Sequence, residues 1–189
     1  APVAAGFLVH GHQRARQRLE QGLARLIATL MRLLLPVSIV VLATYLVAIP
    51  FNFMAPFHDR GLLVVYNVLL FAVMGVLLGA STRADELGER QQSLLRAGML
   101  ALAALATLVS LYALAAVVYR TVLSYLTPNR LTVIGWNAIN IGLLVGLLVK
   151  QARLGRPRWL EGVHAVAAAG VLLYTVWVLF LVFALPWLF

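Results

Sequence analysis

Five long apolar stretches, separated by short polar or basic segments, dominate the chain of 189 residues. They cover residues 33–53, 61–80, 97–119, 128–149 and 163–188. A bilayer core of about 30 Å requires roughly 20 apolar residues in a helix, and each stretch is long enough. The stretches are too long for barrel strands, and they lack the alternation of a lipid-facing strand. Since a segment in lipid must satisfy its own backbone hydrogen bonds, the pattern predicts an all-α bundle of five transmembrane helices.

Residues 1–32 form a separate N-terminal segment ahead of the predicted transmembrane domain of residues 33–189. On a helical wheel of residues 14–32, leucine and isoleucine lie opposite a row of arginines. The arginines of this row are Arg14, Arg18, Arg25 and Arg32. The pattern predicts an amphipathic helix on the cytoplasmic surface, where its arginines meet anionic lipid headgroups. A plain orientation signal and a docking surface for another subunit are the two alternatives.

The composition agrees with a membrane protein and excludes several other classes. Hydrophobic residues make up 63% of the chain and charged residues 11%, against about half and about a quarter in a soluble domain. A water-soluble globule and a disordered chain are therefore excluded. Because the chain has no cysteine, it has no disulfide, no thiolate metal site and no cysteine nucleophile.

The basic residues divide unequally between the two ends of the predicted helices. Twelve of the fifteen lie in residues 1–32 or around the second and fourth turns between stretches. Cytoplasmic turns of membrane proteins are enriched in Lys and Arg. The N-terminus is therefore predicted to be cytoplasmic and the C-terminus to lie outside.

No acidic residue lies inside a predicted span, which argues against several kinds of membrane enzyme and coupled transport. Paired intramembrane aspartates and an H-E-x-x-H metal motif are also missing. We therefore expect a protein that is not an enzyme and needs no cofactor or metal. His164, at the start of the fifth span, is the one candidate ligand for a haem or pigment. Glu161, three residues earlier, offers it an ordinary interfacial partner instead.

Glycines and amides mark candidate helix contacts inside the spans. The residues are Gly75, Gly79, Gly135, Gly142, Gly146, Asn67, Asn137 and Asn140. Two of the glycine pairs have the four-residue spacing that lets helix backbones approach closely. In the fourth span the glycines share one face and the amides lie roughly opposite, with Asn67 as a candidate partner for one amide. Packing within the bundle, contact with another chain and a polar substrate path are the three interpretations.

A dense polar cluster lies between the third and fourth spans. Thr127 followed by Pro128 predicts an N-cap and the first position of a helix. Arg120 and Arg130 either bind phosphate headgroups, stack on nearby tyrosines or extend to the interface. Because the helix dipole disfavours a cation in the first turn, we expect Arg130 to have a compensating contact.

This hairpin resembles a family of bacterial multi-pass membrane proteins whose activity is not established. The match includes Tyr119-Arg120 and the run L-T-P-N-R-L-T-V-I-G-W-N at residues 126–137. A second match is the run R-L-L-L-P at residues 32–36, and the resemblance covers roughly residues 25–150. Where the family often has glycine before the L-T-P-N-R run, this chain has Tyr125. The resemblance implies a multi-pass fold in a bacterial cytoplasmic (inner) membrane and a longer parent protein, but no catalytic residues.

Together these patterns predict a non-enzymatic integral membrane protein that is a structural or accessory subunit of a larger complex. Its expected partners are the lipid bilayer and other membrane subunits, not nucleic acid. A transporter or channel component that uses Asn67, Asn137, Asn140 and the hairpin arginines is the first alternative. A haem- or pigment-binding subunit that uses His164 is the second.

Overall fold

The computed structural model of the chain describes residues 2–54, 57 and 60–188, with side chains from residue 20 onward except at 60, 62 and 63. Helices and the short segments that connect them account for these residues, with no strand among them. Five helices are long and apolar enough to cross a membrane. The predicted all-α fold with five spans is confirmed.

The five helices follow one another with short connections. They are α1 (Pro2–Ala48), α2 (Arg60–Ser81), α3 (Glu89–Leu123), α4 (Pro128–Leu154) and α5 (Trp159–Leu179). We call the end of the bundle that contains residues 124–127 the hairpin end. The end that contains residues 82–88 and 155–158 is the loop end.

Helix α1 joins the N-terminal segment and the first span without a break. It runs from Pro2 to Ala48 with Pro36 inside it. Proline has no N–H to donate, but helices in lipid tolerate it when neighbouring groups satisfy the freed carbonyl. The predicted boundary at residue 32 is therefore not an interruption of the helix. That residues 14–32 lie on a membrane surface stays a prediction.

Pro186 explains the irregular end of the fifth span. Helix α5 passes into a π-helical segment, Phe180–Ala184, which leads into a last short helix, Leu185–Leu188. A proline in a helix cannot donate to the carbonyl four residues earlier, and its ring crowds that carbonyl. The backbone widens locally as a result, as in other π-bulges.

Helix α3 lies at the centre of the bundle. Half of its membrane-spanning residues are buried, compared with 11% for α1 and 6% for the last span. Small side chains such as Ala103, Ala106 and Ser110 are fully buried along it, which lets neighbouring helices approach closely. Helices α1 and α5 consequently pack at the periphery and expose broad apolar faces.

Candidate functional site

The buried amide of Asn137 connects α4 to α2. Its Nδ2 donates to Asn67 Oδ1 at 2.8 Å and to the backbone oxygen of Val133 at 2.9 Å. Asn137 is fully buried, and its Oδ1 has no hydrogen-bond donor among the described residues. The prediction that Asn67 pairs with an amide of the fourth span is confirmed.

Asn140 makes the second polar contact inside the bundle, and its partner is Tyr174 of α5. The tyrosine hydroxyl donates to Asn140 Oδ1 at 2.5 Å. Sequence reasoning missed Tyr174, although a hydroxyl in the middle of an apolar span needs a partner and is a signal of such a bond. Both amides of α4 therefore hold neighbouring helices together.

The candidate glycines fall into two groups. A side chain on Gly135 would overlap the ring of Trp177, and one on Gly79 would overlap Met31. These two glycines therefore make room for side chains of α5 and α1. A Cβ on Gly75, Gly142 or Gly146 would meet no described atom within 4 Å.

Gly142 lies on an exposed face of α4. Ala138, Val145 and Val149 are also exposed on this side, and Gly146 is half-buried beside them. We call these five residues the α4 glycine face. Gly135 lies on the same side of the continuous helix α4, as the sequence predicts, but Trp177 covers it, whereas no described atom lies within 4 Å of a Cβ on Gly142 or Gly146.

Two arginines of the predicted surface helix contact the loop after α2. Arg32 donates from Nε to the backbone oxygen of Ala80 at 3.2 Å and from Nη2 to that of Thr82 at 2.7 Å. Arg25 forms an ion pair with Glu86, with 3.6 Å between Nη2 and Oε2. The side chains of Arg14 and Arg18 lie outside the described residues, so headgroup contact there stays a prediction.

Arg83 completes this contact, which holds α1 against the loop. Its Nη1 donates to the backbone oxygen of Gln21 at 3.2 Å, and its Nε donates to Glu86 Oε1 at 2.6 Å. The hydrogen bond from Arg83 is the main cause that lowers the pKa of the exposed Glu86 carboxyl, and the charges of Arg83 and Arg25 add to it.

A second network at the loop end connects α3, α4 and α5. Arg96 donates from Nε to Gln151 Oε1 at 3.0 Å and from Nη2 to the Gln151 backbone oxygen at 3.2 Å. The buried Gln151 in turn donates to the backbone oxygen of Trp159 at 2.6 Å. Sequence reasoning missed this network, since Gln151 looks like an ordinary polar residue at a helix end.

The hairpin end contains a cavity of about 300 Å³ between α2, α3 and α4. Its polar lining consists of Arg120, Arg130, Asn67, Thr127 and Asn129, and valine side chains form the rest. Within the part of the chain that the structure describes, none of the residues that line it is acidic. The cavity therefore brings two of the predicted headgroup arginines and one of the predicted amides to a single place.

The start of α4 fixes the position of Arg130. Thr127 caps the helix, because its Oγ1 accepts from the Arg130 backbone N–H at 3.3 Å, and Pro128 occupies the first helical position. The guanidinium Nη1 of Arg130 donates to the backbone oxygens of Arg120 at 3.1 Å and Tyr125 at 2.7 Å. The predicted cap and the compensating contact of Arg130 are both confirmed.

Arg120 differs from Arg130 in its hydrogen bonding. Its Nη1 is buried and has no acceptor among the described residues. A buried N–H without an acceptor is unfavourable, and more so when it carries charge. Arg120 is thus a polar group of the cavity wall whose hydrogen bonding the described residues leave incomplete.

His164 stands apart from the other candidate residues. It lies near the start of α5 with its side chain exposed, as is that of Glu161. The described side chains contain no cluster of three His, Asp or Glu that could hold a metal ion. His10, His12 and His58 lie outside the described side chains.

Comparison with protein-family models, with curated proteins and with solved structures finds no match for this chain. The resemblance of the hairpin to a bacterial membrane family therefore stays a prediction.

Proposed function

We propose that the chain is a non-enzymatic subunit of a larger membrane complex and that the α4 glycine face contacts a helix of a partner subunit. The observation that carries this proposal is the open space beside Gly142 and Gly146, where a Cβ would meet no described atom within 4 Å. Small residues at this spacing let two helix backbones pack closely. Lipid tails beside these glycines would not gain a contact comparable to that between two closely packed helices.

The polar groups inside the bundle support a structural role. Asn137 is bonded to Asn67, and Asn140 is bonded to Tyr174. Such bonds between helices stabilise a membrane bundle. Side chains used in this way hold the helices in register for a partner.

The proposal includes a location and an orientation. We place the chain in a bacterial inner membrane with the N-terminus and the loop end on the cytoplasmic side. The excess of Lys and Arg in residues 1–32 and around the loops at 82–88 and 155–158 supports this orientation.

Purification from native membranes in a mild detergent tests the subunit proposal. We expect the wild-type chain to migrate in a complex much larger than its own 20.6 kDa. The variant Gly146→Leu should release a free chain whose melting temperature stays close to that of the wild type, because a Cβ at this position would meet no described atom within 4 Å.

Ala168→Leu provides a matched control on an exposed face of α5. It adds a similar apolar side chain away from the α4 glycine face and should leave the complex intact. A wild-type chain that migrates alone would contradict the proposal. Release by Ala168→Leu to the same extent would also contradict it, since the effect would not be specific to α4.

The cavity at the hairpin end favours a second candidate, a transporter or channel component. It extends from the two arginines to Asn67, which is bonded to the buried Asn137. A solute path along these residues predicts anion flux in liposomes that is lost in Asn137→Leu. Flux that is equal in this variant and the wild type would contradict a path through the amides.

A further inference from the structure

We propose that the cavity at the hairpin end is a binding site for a phosphate group, held by the guanidinium groups of Arg120 and Arg130 and by the side-chain amide of Asn129. The phosphate belongs either to a lipid headgroup or to a free phosphate ion. This site is independent of the subunit role proposed above, because the α4 glycine face lies elsewhere on α4.

The charge of the cavity wall favours an anion. Arg120 and Arg130 both line the cavity, and among the described residues no carboxylate lines it with them. Two arginine side chains in the wall of one cavity give it a positive potential, which an anion would neutralise. The positive end of the α4 dipole adds to this field, because Asn129 and Arg130 are in the first turn of the helix.

The side-chain hydrogen bonds of Arg130 to described residues all use Nη1, and the Arg120 side chain has no acceptor for its Nη1 among the described residues. Arg130 uses its Nη1 for the backbone oxygens of Arg120 and Tyr125, which fixes the plane of its guanidinium group. Arg120 Nη1 is buried without an acceptor among the described residues. A planar guanidinium with free N–H groups is the side chain best suited to bind two phosphate oxygens at once.

The size and position of the cavity suit a phosphate group. Its volume of about 300 Å³ is at the lower end of the usual range for small-ligand pockets, roughly 300–1,000 Å³. It lies where α3 ends and α4 begins, close to the predicted membrane surface. Three valines line the remainder, so an apolar wall adjoins the polar groups as it would beside a lipid headgroup.

Two binding experiments on the purified full chain distinguish the two sources of phosphate. The first compares inorganic phosphate with chloride at equal ionic strength, by titration calorimetry and by the melting temperature in detergent. The second compares retention of phosphatidylglycerol with that of an uncharged glycolipid, by native mass spectrometry. Binding in the first experiment indicates a free-phosphate site, and selective retention in the second indicates a headgroup site.

Arg120→Gln is the decisive variant. Hydrogen bonds between charged groups contribute strongly to binding affinity. We therefore expect at least about a tenfold loss of affinity for whichever phosphate source binds. Arg158→Gln, which removes the same charge from an exposed position at the loop end, is the matched control and should bind as the wild type does. Wild-type protein that binds neither source, or an equal loss in the control, would overturn the proposal.

A second variant covers the case in which Arg120→Gln does not fold. Asn129 is exposed and lines the cavity, so Asn129→Ala should fold normally and still lower the affinity severalfold. Unchanged phosphate binding in a folded Asn129→Ala variant would overturn the assignment of this amide to the site.

Discussion

Single side chains decide how closely the helices of this bundle approach one another. Gly135 of α4 faces the Trp177 ring of α5, and any side chain there would overlap that ring. Gly142, two turns along the same helix, has no described atom within reach of a Cβ. The two glycines share a residue type and a side of the helix, but among the described residues only Gly135 packs against another helix of this chain.

The variant Gly135→Ala is therefore predicted to destabilise the bundle. A methyl group at this position displaces the Trp177 ring, and overpacking of this kind costs about 1–3 kcal/mol of unfolding free energy. Thermal or denaturant unfolding of the purified chain in detergent measures the effect. Gly142→Ala is the control and should unfold as the wild type does, and equal stability of all three proteins would show that α4 and α5 do not meet at Gly135.

The Asn67–Asn137 bond predicts a measurable coupling between the two residues. A double-mutant cycle of Asn67→Ala and Asn137→Ala should give a coupling energy of about 0.6 kcal/mol, and at most about 1.7 kcal/mol. Unfolding free energies of the four proteins in the same detergent provide the value. Strict additivity of the two substitutions would mean that the amides do not bond.

Part of this polar chemistry could be predicted from the sequence. An amide in an apolar span needs a partner, so the pairing of Asn67 with α4 followed from residue types alone. Tyr174 as the partner of Asn140, and the burial of Arg120 Nη1, depend on how the helices are rotated. Hydrophobic patterns do not fix that rotation when helices are apolar on most of their surface.

At the scale of elements, local signals fixed the start of α4 more accurately than the course of α1. Thr127 and Pro128 act through contacts within one turn, so the cap could be predicted. Pro36 suggests a helix start when it is considered alone, but α1 continues through it. Contacts with α2 and α3 outweigh the local preference of the proline.

The contact between α1 and the loop after α2 predicts a dependence on pH. The arginines lower the pKa of Glu86. In the folded protein they therefore interact more strongly with the ionised carboxylate than with the protonated carboxyl. This contribution is fully present above the ordinary pKa of a glutamate and is lost as the pH falls through the lowered value. We expect a small effect, because Glu86 is exposed.

Melting curves of the wild type and Glu86→Gln across the acidic pH range measure this contribution. At neutral pH the wild type should melt at a slightly higher temperature than Glu86→Gln, and this difference in melting temperature should vanish at low pH. Glu89→Gln, a nearby exposed acid in the first turn of α3, is the control. A difference that grows on acidification would have the wrong sign for an ionised Glu86 in the contact.

At the scale of the whole molecule, five helices alternate in direction, so every second turn lies at the same end of the bundle. The contacts of Arg25, Arg32 and Arg96 are all at the loop end, and those of Arg130 are at the hairpin end. The count of five spans could be predicted, because length and hydropathy alone require it. The central place of α3 could not, because all five stretches are similarly apolar.

Accessibility labelling of single cysteines tests the five-span arrangement most directly, and the chain has no cysteine of its own to interfere. Ser124→Cys and Arg156→Cys place one thiol at each end of the bundle, and a membrane-impermeant maleimide is applied to intact cells and to inverted vesicles. We predict that residue 124 is labelled only from outside the cell and residue 156 only from the cytoplasmic side. Labelling of both positions from the same side would contradict the arrangement of the five spans.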